Sequence, residues 1–274
     1  MELELYRHKT KAAKIISPRF PGLFILACVV FFLNGCAKDL VPLEPAYLPV
    51  SFVLEELEQR RDHLFSFGGV GAIRVQGEEQ RWSGKAFFVS ELPDSLRIEI
   101  VNFFGQPILY VASDGRQFQI WQPGSSRAYE GPASGGALAR LIEFPLRDQE
   151  VLLLLAGVVP PWNNGDARLF RVGDSTTLLL RLEDRGSQLI QKIWLEEEGL
   201  AVTKIERMRG RHLEFTAVFS DFTHVEGWPR PTSITLKGGQ ARLSVKYENF
   251  TVNEHLDGEM FHLALPRGIE VVPW

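Results

Sequence analysis

The stretch "LRIEIVNFFGQPILYVASDGRQFQIWQPGSSRAYEG", Leu96–Gly131, sets the period of the chain's hydrophobicity and decides its fold. Leu96, Ile98 and Ile100 alternate with Arg97 and Glu99, and Phe118 and Ile120 alternate with glutamines. Successive side chains on a strand point to opposite faces. Apolar residues alternating with polar ones therefore indicate antiparallel strands with one buried face and one wet face. Asp114-Gly115 and Pro123-Gly124 are turn dipeptides between these strands.

The same period continues downstream. "HLEFTAVF" places Leu213, Phe215, Ala217 and Phe219 on one side, and "ARLSVKYE" sets Ala241, Leu243, Val245 and Tyr247 against Arg242, Ser244, Lys246 and Glu248. Further turn signals stand at Pro93-Asp94, Gly173-Asp174, Arg185-Gly186, Gly210 and Gly238-Gly239. Together they divide the chain into about eleven to thirteen expected strands, six before residue 131 and the rest after 166.

Three helices are expected among the strands. "SFVLEELEQRRDHL" (51–64) carries Val53, Leu54, Leu57 and Leu64 on one face, with Ser51 as its N-cap. Ser134 is a candidate cap for "GGALARLIEF", and Asp148 for "QEVLLLLAGVV", which Pro160-Pro161 terminates. Leu152 to Leu155 are too uniformly apolar for a surface helix and belong against the concave face of a sheet. The expected architecture is thus mainly β (α+β): a curved antiparallel half-barrel with helices on its apolar face, since a sheet this wide must close or curl. Leu96, Ile98, Ile100, Phe118, Ile120, Leu213 and Phe215 from the sheet, with Leu152 and Leu155 from the last helix, would line its interior. That interior either keeps room for acyl chains or is filled by its own side chains. Periodicity leaves both readings open.

The N-terminal stretch "LFILACVVFFLNGCAKD" (23–39) has an apolar run, Leu23–Leu33, too short for a membrane-crossing helix of about 20 residues. Arg7, Lys9, Lys11, Lys14 and Arg19 precede it, as in the basic region of a secretory signal. Leu33-Asn34-Gly35-Cys36 resembles a bacterial lipobox, in which cleavage leaves a cysteine that takes diacylglycerol through a thioether. The expectation is a signal peptide over 1–35, lipidation at Cys36, a proline-spaced tether over 36–50 with Pro42, Pro45 and Pro49, and one domain over 51–274. An ordinary signal or a membrane anchor is the alternative. The other cysteine, Cys28, lies within the signal, so no thiol remains for a disulfide, zinc site or nucleophile. Cleavage would remove five of the 30 Lys/Arg and two of the 34 Asp/Glu, leaving a net charge near −7 that disfavours nucleic acid.

Enzymatic motifs are lacking. In Gly131-Pro132-Ala133-Ser134-Gly135 the serine is one place late for G-x-S-x-G. His63, His212, His224, His255 and His262 show no metal-ligand spacing, and Gly69-Val70-Gly71 lacks the third glycine of a dinucleotide loop. No catalytic residue, metal or cofactor is expected. Glu196–Glu198 reads as a solvated turn. Arg207–Arg211 reads as an exposed basic turn or, alternatively, as a contact for anionic lipid or an acidic partner.

The lipobox, the first helix, the run of hairpins, the helical insertion and the second run of strands together resemble the LolA/LolB family of lipoprotein carriers and receptors. Asn102, Phe103, Phe104, Gly105 and Tyr129 occupy positions that correspond to a loop and a later tyrosine strand in LolB-like receptors, and "FHLALPRGIEVV" is similar to the end of these carriers. The loop departs from the family's Pro-Leu-Gly, and the chain is longer. The resemblance implies an outer-membrane lipoprotein facing the periplasm, with Ala37 after the lipidated cysteine. It would be a monomer that binds acyl chains of lipids or lipoproteins, receives them from a LolA-like carrier, and presses Phe103, Phe104 and Gly105 into the membrane. The other function class is a structural or interaction lipoprotein of the envelope with a filled core.

Overall fold

The computed structural model describes residues 40–42, 48–79, 81–134, 136–162, 165–173 and 175–274. The expected signal, Cys36 and most of the expected tether lie outside the described residues.

After a three-residue strand β1 (Leu40–Pro42) comes helix α1 (Val50–Asp62). A first meander follows: β2 (Ser66–Gln76), β3 (Arg81–Glu91), β4 (Ser95–Val101), β5 (Pro107–Asp114), β6 (Gln117–Trp121) and β7 (Arg127–Pro132). Helices α2 (Ala137–Leu141) and α3 (Asp148–Leu155) interrupt it. The second meander is β8 (Asp166–Val172), β9 (Thr177–Asp184), β10 (Leu189–Glu196), β11 (Val202–Arg209), β12 (His212–Val225), β13 (Trp228–Gly238) and β14 (Ala241–Val252). A 3-10 turn at Gly258–Phe261 and strand β15 (Glu270–Pro273) end the chain.

The fifteen strands among the described residues form one unclosed sheet in the order β1-β8-β9-β10-β11-β12-β13-β14-β2-β3-β4-β5-β6-β7-β15. Every ladder is antiparallel except β7 with β15. The two meanders meet where β14 pairs with β2, Leu243 facing Val75 and Val245 facing Ile73. This order fixes the place of the helices. β7 and β8 lie next to opposite edges, so the chain between them must cross the whole sheet, and it crosses on the apolar concave side. The residues after β14 cross the convex side: Arg97 Nη1 donates to the carbonyls of Met260 and His262 (3.0 Å each), and the Leu263 N–H donates to Gln119 Oε1 (2.9 Å).

Alternation along the strands survives as burial. Leu243, Val245 and Tyr247 are buried while Arg242, Lys246 and Glu248 are exposed. Helix boundaries differ from expectation. α1 begins after Pro49, with no side-chain cap from Ser51, and buries Val53, Leu57 and Arg60. Leu64 is buried just beyond its end. α2 is preceded by Gly136 rather than capped by Ser134. Asp148 does not cap α3 but is its first residue. Its carboxylate accepts from the N–H groups of Leu138 and Ala139 (3.1 and 2.8 Å) and so caps the neighbouring α2. Leu40–Pro42, expected as tether, pairs with β8 as an edge strand.

Candidate functional site

α3 sits over the concave face with Val151, Leu152, Leu153, Leu154 and Leu155 all buried. A helix apolar all round needs cover on every side, and the sheet with α2 supplies it. Both ends of α3 are fixed by polar groups. At the N-terminal end Arg207 Nη1 donates to Glu150 Oε1 (2.5 Å), and its Nε and Nη2 donate to Gln191 Oε1 (3.1 and 2.9 Å). The guanidinium lies 5.0 Å from the Phe215 ring centroid. Burial alone would raise the Glu150 carboxyl. The Arg207 guanidinium, helped by the Arg147 N–H and charge, overcomes it and holds the group below the usual carboxylate range. Arg207 is therefore a buried ion-pair partner rather than part of an exposed basic turn.

At the other end Gly157 stops the helix well before Pro160. With φ of 70° it lets the Val158 N–H reach the Leu153 carbonyl and its own N–H reach Leu154 (2.9 and 3.0 Å). A side chain there would also run into the Pro231 ring. The Tyr247 hydroxyl donates to the Leu155 carbonyl (2.8 Å), and burial pushes that phenol up. Arg230, 2 % exposed, reaches the Ala156 carbonyl at 3.5 Å. Burial, with the Arg60 charge nearby, lowers its guanidinium to about 10.

Seven of the nine expected interior residues (Leu96, Ile100, Phe118, Ile120, Leu152, Leu155 and Phe215) join one buried cluster. Ile98 is half-buried against it. Leu213 is not part of it, with 46 % of its surface exposed. The cause is a bulge: Arg207 faces Phe215 but the next residue, Met208, faces Leu213, so Glu214 is extra. One extra residue turns the alternation over and sends Leu213 to the outside. Over the concave face the clustered side chains pack against the leucines of α3.

The Asn102–Gln106 loop joins β4 to β5. The Asn102 side-chain oxygen accepts from the N–H groups of Phe104 and Gln106 (2.9 and 3.0 Å), and the Gly105 N–H donates to the Asn102 carbonyl (3.0 Å). Asn102 thus ties off the turn with its own side chain, so neither phenylalanine is needed inside. Phe103 is 97 % and Phe104 82 % exposed, their rings 5.6 Å apart. On the same rim a cleft of about 640 Å³ opens beside α2 and α3, lined by Ala139, Arg140, Phe144, Pro145, Arg147 and Arg209 among others. Tyr129 is 42 % exposed on β7, its ring against Trp274.

No family model matches the chain, and no curated protein does. Solved structures do. A LolA superfamily protein from Nitrosomonas europaea is 16 % identical, with 78 % of this chain and 97 % of that one covered and a TM-score of 0.45. A DUF1329 family protein from Desulfovibrio piger is 11 % identical, covering 80 % and 98 %, with a TM-score of 0.49.

Sequence reasoning missed the Glu150–Arg207–Gln191 cluster. Its signal was present: Gln191 occupies an inward position of "LIQKIWLE", and Glu150 opens the apolar run of α3. A polar side chain at a core position calls for a partner.

Proposed function

We propose that this protein is a lipid-binding lipoprotein of the bacterial envelope, anchored through Cys36. In this reading it takes acyl chains on the concave face beneath α3 and meets the membrane through Phe103 and Phe104. The observation that carries the proposal is the pair of fully displayed aromatic rings on a loop that Asn102 holds open. Exposed apolar groups gathered at one tip mark a partner or a membrane. Burying one phenylalanine contributes about 1.5–3 kcal/mol, enough to orient an already tethered protein. The cleft on the same rim reaches the N-terminal end of α3 at Glu150 and Arg207, and acyl chains entering there would have to pass that ion pair to replace the leucines. A LolB-like role in placing lipoproteins at the outer membrane, with delivery from a LolA-like carrier, is the specific form of this reading.

A second reading has its own support. Leu152, Leu153 and Leu154 are between 0 and 3 % exposed, as in a permanently filled core. That packing suits a structural envelope lipoprotein without cargo. The test is transfer of a fluorescent lipopeptide into liposomes by the wild type and by Phe104→Glu. The proposal expects the variant to fold and bind the lipopeptide yet fail to transfer it. Transfer at the wild-type rate excludes the insertion role, and no lipopeptide binding by either protein favours the structural reading.

A further inference from the structure

The convex face carries a cationic array that the acyl site does not use. β13, β14, β2 and β3 lie side by side, and their register forms cross-strand rows. Lys237, Arg242, Gln76 and Arg81 make one row, Thr235, Ser244, Arg74 and Ser83 the next, and Ser233, Lys246, Ala72 and Lys85 the third. Their neighbours in the strands, Leu236, Leu243, Val245 and Val75, are buried on the other side. All six cations are exposed. Lys85 pairs with Glu248 (2.6 Å), while the other five have no ion pair among the described residues. At the tip of the β2–β3 hairpin the Glu78 and Glu79 N–H groups donate to the Glu143 carboxylate (2.6 and 3.0 Å).

Like charges facing each other across strands, as Lys237 and Arg242 do, destabilise a sheet. Here they gather on a chain with more Asp and Glu than Lys and Arg. The floor between Arg74, Arg242 and Lys246 is made of small side chains (Ala72, Ser83, Ser233, Thr235 and Ser244) around a groove of about 420 Å³. Hydroxyls among guanidinium and ammonium groups suit phosphate esters. No aromatic or Met side chain stands in the three rows, so of the anchors that protein partners use only arginine is present. Position completes the argument: β4 ends at Val101, opposite Lys85, and the Phe103–Phe104 loop leaves the sheet from that same end.

We propose that this array is a docking surface for anionic phospholipid headgroups, drawing the convex face onto the membrane that Phe103 and Phe104 enter. It rests on the membrane contact assigned to that loop. The test uses residues 40–274, which form one compact unit with its own core, and vesicles of phosphatidylcholine with or without phosphatidylglycerol. Each cation near an anionic surface adds a severalfold gain, so three of them should favour the phosphatidylglycerol vesicles more than about tenfold at low salt. Arg74→Glu/Arg242→Glu/Lys246→Glu should abolish that preference without lowering the melting temperature, whereas Arg74→Lys/Arg242→Lys should retain it. Equal wild-type binding to both vesicles overturns the proposal, as does a preference that survives the triple reversal. So does a triple variant that loses only the capture of an acidic protein. Phe104→Glu separates the two ideas: if it leaves binding to pure phosphatidylcholine unchanged while the preference persists, the insertion reading fails and the headgroup surface stands.

Discussion

Leu152 and Leu213 are both assigned to the interior by sequence pattern, yet the structure separates them, and that separation is measurable. Leu152 is 2 % exposed in the middle of α3, and Leu213 is 46 % exposed beyond the Glu214 bulge. Truncating a fully buried leucine removes its transfer free energy and leaves a cavity, costing about 3–5 kcal/mol. Truncating a half-exposed one at a strand end costs roughly 0.5 kcal/mol or less. For a domain of this size each kcal/mol moves the melting temperature by about 2–4 °C. Leu152→Ala in residues 40–274 should therefore melt roughly 6–20 °C lower, and Leu213→Ala within about 2 °C of the wild type. Urea unfolding should confirm both with unchanged m-values. An apolar probe such as benzene should restore part of the loss in Leu152→Ala alone, because a dry cavity lined by leucines accepts such molecules. Equal losses for the two variants would refute the bulged register and return Leu213 to the core.

Arg207→Met should cost about 3–5 kcal/mol by stranding the buried Glu150, and Arg207→Met/Glu150→Leu should recover much of it; equilibrium unfolding checks both. The Glu150 carboxyl is held below its unfolded value, so its ionised form favours the folded state above that value. That contribution disappears as the pH falls through the lower folded value, and a melting series from neutral to acid pH should be shallower in the double variant. Gly157→Ala should cost more than Gly105→Ala in urea unfolding. Both pay about 1 kcal/mol for left-handed backbone, but only the side chain at 157 meets Pro231 while 105 stands open.

The sheet was legible because its convex face is wet: alternation in "LRIEIVN" and "ARLSVKYE" reads directly as inside and outside. The bulge at Glu214 was not, since an extra residue changes pairing without changing composition. Nor were the caps, because Asp148 serves a helix that precedes it in the chain, a contact that local spacing cannot express. Arg207 looked exposed within a basic turn, and only the fold brings α3's Glu150 to it. The Phe103–Phe104 loop was legible as a turn. Its full display depends on Asn102 satisfying the backbone.

The seam between β14 and β2 also bears on how the sheet assembles. Each meander is a series of hairpins between neighbours in the chain, which close small loops cheaply. The seam joins segments from nearly opposite ends, and non-local pairings of this kind are the slow ones. Until it forms, β2 and β14 are both open edges, able to pair with another copy of the chain. α3 has no complete concave face to lie on in that state either. The glycine-rich β2, with Gly68, Gly69 and Gly71 against β14, is thus where two half-sheets become one, and where misassembly between copies would begin.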